Sequence, residues 1–209
     1  KGDNILLRWF TPEIEMDLCG HATLATAYCL NSILNYPDKS IKFETKSGDI
    51  SVDYKDGKYH MDFPSRVPVK SDLPKLISKS LNLKPSEIYK SRDFLLIYNS
   101  EKEIKKIKIN TRYFNKINLD PGGVVVTAKG TSSDFVSRYF TPQSTILEDP
   151  ATGSSHCSLI PFWSKRLNKT HLTSIQLSKR IGEFECINHS KRVTVIGSAV
   201  NYSKTTITI

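Results

Sequence analysis

One phrase is written twice in this chain, and a repeat of that kind constrains the fold more than any single motif. Arg8-Trp9-Phe10-Thr11-Pro12 leads to Asp17-Leu18-Cys19-Gly20-His21-Ala22-Thr23, and Arg138-Tyr139-Phe140-Thr141-Pro142 leads to Asp149-Pro150-Ala151-Thr152-Gly153-Ser154-Ser155. Each copy reads as an aromatic β-strand, a Thr-Pro turn, a spacer ending in an aspartate, and a knot of small residues that opens a helix. Two copies of one supersecondary unit predict two related domains whose knots flank a single cleft. A helix N-terminus presents amide N–H groups without intrahelical acceptors and a partial positive charge, so a facing pair suits a small carboxylate and a developing oxyanion. The repeat therefore points to an enzyme.

The rest of the chain divides around the two copies. Residues 4 to 10 predict a strand and residues 20 to 34 a helix, apolar on almost every side and so expected to be buried on most of them. Runs at 41–45, 50–54 and 59–63 alternate with period two and are joined by Ser47-Gly48-Asp49 and Asp56-Gly57, which are antiparallel hairpin signals. Phe63-Pro64-Ser65-Arg66-Val67-Pro68 breaks the pattern and marks a boundary, giving residues 1–66 and 67–209 as the two domains. Beyond it, Ser71-Asp72 predicts a helix cap, 93–98 a strand, 101–109 a helix and 124–128 a strand. A second helix begins after Gly153, with Pro161 expected to kink or restart it because proline lacks the amide donor. Glu183 to Ile187, Arg192 to Ile196 and Thr205 to Ile209 predict closing strands.

Charge and cysteines narrow the function classes. The net charge of +9 is spread over scattered lysines. Without a nucleic-acid-binding module it favours an anionic small substrate over nucleic acid. No run approaches the roughly 20 apolar residues of a membrane span. Cys19, Cys29, Cys157 and Cys186 show no paired spacing, so reduced thiols in a cytoplasm are expected, with Cys29 and Cys186 in the core.

Among the chemical candidates, Asp17 and Asp149 hold matching places in the repeat, as direct participants or as helix caps. His21 stands on the first turn of a helix, where the dipole is expected to lower its pKa and leave a neutral ring for proton relay. Cys19 just before that helix is poised toward thiolate. A two-thiol racemase needs a second cysteine in the matching place, which holds Thr152. His156 and Cys157 with Cys19 and His21 lack zinc spacing, and no metal is expected. The strand-to-helix elbow of serine hydrolases is absent from Thr152-Gly153-Ser154-Ser155-His156.

Both copies of the phrase, together with Phe63-Pro64, Gly123-Val124-Val125-Val126-Thr127-Ala128, Asp134-Phe135-Val136-Ser137 and Glu148-Asp149-Pro150-Ala151-Thr152-Gly153-Ser154, resemble the PhzF family of phenazine-biosynthesis-like isomerases. The resemblance implies the diaminopimelate-epimerase-like fold, an α+β architecture. Its two pseudo-symmetric domains are each a curved mixed or antiparallel sheet around a central helix, with the active site between them. It implies a catalytic histidine at His21, a catalytic aspartate at Asp149, and Gly20, Gly153 and Ser154 holding the substrate carboxylate. It implies proton transfer without metal or organic cofactor, and a homodimer. It also implies a principal acid/base glutamate in a segment ahead of the first strand. That segment has no counterpart in this sequence, so the first domain is expected to lack its first strands, and neither Glu13 nor Glu15 sits in the glutamate's context. The sequence thus reads as a cofactor-independent isomerase of a small carboxylated metabolite. The alternatives are an amino-acid racemase or epimerase of the same fold and a non-catalytic binding or scaffold protein.

Overall fold

The computed structural model describes residues 5–11, 14–119, 122–142 and 144–206. Strands β1 (Ile5–Leu6), β2 (Trp9–Phe10) and β3 (Glu15–Met16) precede helix α1 (Gly20–Tyr28), and β4 (Ser40–Glu44), β5 (Ile50–Lys55) and β6 (Lys58–Pro64) follow as an antiparallel meander. The alternating runs pair as expected because their turns supply left-handed residues. Asp56 and Gly57 take φ of 50° and 76°, the two-residue turn whose twist matches that of the strands it joins.

The second half begins with β7 (Val69–Lys70), α2 (Lys75–Ser80), β8 (Glu87–Lys90), β9 (Phe94–Ile97), α3 (Glu101–Lys106) and α4 (Thr111–Phe114). It continues with β10 (Val124–Lys129), β11 (Phe135–Phe140), β12 (Glu148–Asp149), α5 (His156–Leu167), β13 (His171–Gln176), β14 (Gly182–Asn188) and β15 (Arg192–Gly197). Twelve strands run in the order β1-β4-β5-β6-β15-β14-β13-β11-β10-β9-β8-β7, and β12 joins β11 to complete a 13-stranded mixed sheet. The last strand, β15, pairs antiparallel with β6, Val193 opposite Phe63, so the end of the chain stitches the two halves into one sheet.

One core joins Phe43 and Phe63 of the first half to Phe135, Leu159 and Trp163 of the second. A separate core lies on the other face of β9 to β11, where Val124, Val136 and Phe140 meet Ile77, Ile104 and Phe114 of α2 to α4. Strands covered on both faces read as continuous apolar runs, as Phe94-Leu95-Leu96-Ile97 does.

Several expectations are corrected. The α-helix from Gly20 ends at Tyr28 and passes into a π-helical turn, Cys29–Ile33. It is not buried on most sides: only Gly20, Thr23 and Ala27 of α1 are fully enclosed, and Cys29, Ile33 and Leu34 face solvent. Ser71 and Asp72 do not cap α2, whose N-cap is Pro74, and α3 stops at Lys106. Residues 205–206 are not in a strand, and 207–209, like Glu13, lie outside the described residues. Pro161 sits inside α5 without ending it. Its missing amide frees the carbonyl of Cys157, and the backbone N–H of Arg66 donates to that oxygen at 2.8 Å. A proline that would break an isolated helix is here the docking point for the chain leaving the first half.

The repeat survives into three dimensions at the level of side chains. Ile5 and Leu6 pair parallel with β4 as Phe135 and Val136 pair parallel with β13. Arg8 grips Glu15 through Nε at 2.8 Å and lies over Phe10, and Arg138 grips Glu148 through Nε at 2.7 Å and lies over Phe140. The environments differ sharply: Leu6 is 68% exposed against 0% for Val136, and Phe10 63% against 1% for Phe140. In the second copy β10, α3 and α4 cover those positions, and among the described residues nothing covers them in the first. Phe140→Ala is expected to cost about 3–5 kcal/mol in a urea titration. Phe10→Ala, which loses little beyond its contact with Arg8, is expected to stay within about 1 kcal/mol.

Candidate functional site

Two short strand pairs aim the knots at each other. β2 pairs with β3, Trp9 opposite Met16, and β11 pairs with β12, Tyr139 opposite Asp149. This register corrects the matching of the aspartates, because Met16 stands where the second copy has Asp149, and Asp17 lies one residue further on. The two knots then meet directly, although α5 begins only at His156, three residues past Gly153: a Cβ built on Gly20 would lie 2.9 Å from the Cα of Gly153. Only glycine permits that approach, and both glycines line one cleft of about 830 Å³. His21, Asp149, Gly20, Gly153 and Ser154 all line it, as does Cys19. Trp9, Phe10, Ile14, Met16, Leu119 and Ile146 give it apolar walls.

Cys19 is the N-cap residue of α1 but makes no capping bond. Its Sγ lies 3.5 Å from His21 Nε2. This contact corrects the expectation of a lowered histidine pKa: the hydrogen bond with Cys19 is the largest influence and raises it. Partial burial opposes the rise, and the Asp149 charge adds to it.

The aspartates have separate jobs. Asp17 Oδ2 accepts from Arg66 Nη2 at 2.9 Å, and Asp17 Oδ1 lies 2.8 Å from Arg92 Nη2, close enough for an ion pair but off the line of a hydrogen bond. Arg92 also donates to Asp93 Oδ1 at 3.1 Å, an oxygen that accepts from Tyr139 Oη and the Gly123 amide as well. Burial raises the Asp93 carboxyl pKa, and Arg92, Tyr139 and Gly123 oppose that rise. Asp17 thus pins the first knot to the second half. Asp149 instead accepts at Oδ2 from Thr152 Oγ1 at 2.7 Å, and no described residue donates to its Oδ1.

Of the remaining candidates, Glu15 is held by Arg8 and Lys46, which lower its pKa to about 2, so it is not a free proton carrier. His156 is buried and neutral, its pKa lowered to about 4 by desolvation. Its Nδ1–H donates to the Thr152 carbonyl at 3.0 Å, and Nε2 accepts from Ser174 Oγ at 2.8 Å. Cys157 and Cys186 are buried and Cys29 is exposed, which corrects its placement in the core; all four thiols are free. Sequence reasoning passes over Arg92, Tyr139 and Gln176. The available signal was a polar residue at an inward strand position, Gln176 in phase with Leu172, and a charged pair, Arg92-Asp93, abutting a wholly apolar run.

The profile of the phenazine biosynthesis-like protein family, PhzC-PhzF, matches residues 1–205. The chain is 40% identical over 201 residues to an uncharacterized isomerase of Pseudomonas aeruginosa, covering 96% of this chain and 76% of that protein. A putative phenazine biosynthesis PhzC/PhzF protein from Clostridium difficile superposes with a TM-score of 0.86 at 42% identity, covering 100% of this chain and 81% of the other. A hydroxyproline epimerase from Agrobacterium vitis superposes with a TM-score of 0.59 at 11% identity, covering 95% and 69%, a likeness of fold alone. The architecture is therefore the α+β, diaminopimelate-epimerase-like one. Among the described residues no helix is long and apolar enough to cross a membrane.

Proposed function

This chain belongs to the phenazine biosynthesis-like family, and on that premise we propose that it is an isomerase that moves a proton on a small carboxylate held between the two knots. The observation that carries this reading is the abutment of Gly20 and Gly153, which brings His21, Asp149 and Ser154 to one cleft. The substrate carboxylate sits against the first amides of the knots, where the helix dipole of α1 favours negative charge. Apolar walls exclude water around the reacting carbon. His21 and Asp149 pass the proton, and the amides hold charge that develops on the carboxylate or an adjacent oxygen. Domains dividing near residue 66 supply the two walls. The chemistry asks nothing of a metal or organic cofactor, and the protein works in the cytoplasm as a homodimer.

A racemase reading is favoured by Cys19, which lies in the same cleft beside His21. One screen separates the two. A panel of small cyclic and α-amino carboxylates is incubated with the protein in deuterium oxide and followed by NMR. Deuterium entering a product whose double bond has moved supports the proposed isomerase, and deuterium at an α-carbon with inversion supports the racemase. Saturable binding across the panel without exchange at any carbon would sink both and leave a binding protein.

A further inference from the structure

Asp149 ends β12, and the buried Thr152 of the segment that follows belongs to a closed set of hydrogen-bonding groups beneath it. Gln176 on β13 is fully buried and uses three hydrogen bonds on this loop. Its Nε2 donates to the Asp149 carbonyl at 2.6 Å and to Thr152 Oγ1 at 3.2 Å, and its Oε1 accepts from the Thr152 amide at 2.8 Å. The Thr152 amide can only donate, so it fixes which end of the Gln176 amide is oxygen and which is nitrogen. Thr152 Oγ1 must then accept from Gln176, and its single hydroxyl proton is directed to Asp149 Oδ2 at 2.7 Å. On the far side, His156 Nδ1–H and Ser155 Oγ–H both donate to the Thr152 carbonyl, at 3.0 and 2.8 Å.

We propose that Gln176 is a positioning residue that, through Thr152, presents Asp149 to the cleft with one oxygen occupied and the other open. The inference rests on the reading of Asp149 as a proton-handling group beside His21. A chain of donors running in one direction strengthens each bond in it and fixes the orientation of the carboxylate at its end. The first copy has no such device: Met16 stands at the place of Asp149, and the carboxylate of the next residue, Asp17, is consumed by Arg66 and Arg92.

The test follows the imidazole titration of His21 by NMR in the intact protein, since Cys19 and Asp149 are the groups that act on that ring. Asp149→Asn is expected to lower the midpoint by removing a charge. Gln176→Met and Thr152→Val are expected to move it down toward the Asp149→Asn value, with Thr152→Ser leaving it where it was. Thr152→Val keeps the amide bond to Gln176, so it carries the test if Gln176→Met does not fold. A midpoint unmoved by Thr152→Val, in a protein where Asp149→Asn lowers it, overturns the positioning role. A midpoint unmoved by Asp149→Asn itself overturns the pairing of Asp149 with His21, and with it the reading on which the positioning role rests. With the carboxylate found by the exchange screen, Thr152→Val is expected to lower kcat while leaving KM within a few-fold, a split that loss of global stability would not produce.

Discussion

Replacing His21 by alanine lowers turnover of the carboxylate identified by exchange by about 10²- to 10⁴-fold, the usual contribution of a positioned acid or base. His21 faces solvent in the cleft, so the melting temperature is expected to stay close to that of the parent protein. The pH profile gives the sharper test. The hydrogen bond with Cys19 and the Asp149 charge raise the imidazole above its usual 6.5, against the pull of partial burial. The protonated ring therefore persists to higher pH than in a free histidine. One limb of the kcat profile is expected above pH 6.5, and Cys19→Ala should move that limb down. A profile indifferent to both substitutions would remove His21 from the chemistry.

Arg92→Ala is expected to destabilise the protein by about 3–5 kcal/mol, because it leaves Asp93 as a buried charge without its cation and takes from Asp17 one of its two arginines. For a chain of this size each kcal/mol moves the melting temperature by roughly 2–4 °C, so a fall of about 10 °C is expected in calorimetry. The control is Arg166→Ala, which breaks a half-exposed pair with Glu87 and should cost less than about 1 kcal/mol. Equal, small effects from the two substitutions would show that the Asp17–Arg92–Asp93 cluster does not hold the halves together. A large loss from Arg92→Ala alone would make Asp17 the anchor of the first knot and explain why it cannot share the role of Asp149.

The choice of His21, Asp149, Gly20, Gly153 and Ser154 rested on the likeness of their motifs to the phenazine biosynthesis-like family, and the sequence by itself determined the duplication, the meander of β4 to β6 and the start of α1. Local chemistry encodes the meander and the helix start: period-two alternation, Asp-Gly turns, and a glycine followed by helix formers. Three matters were decided only by tertiary structure. Burial of α1 depended on which elements lie over it, and its apolar composition could not report that Cys29, Ile33 and Leu34 are left uncovered. The titration of His21 and the continuity of α5 through Pro161 were set by contacts, a thiol against the ring and the Arg66 amide on a freed carbonyl. The second contact joins groups far apart in the chain, and the first depends on how two neighbouring side chains are turned by what packs around them, so no local pattern specifies either.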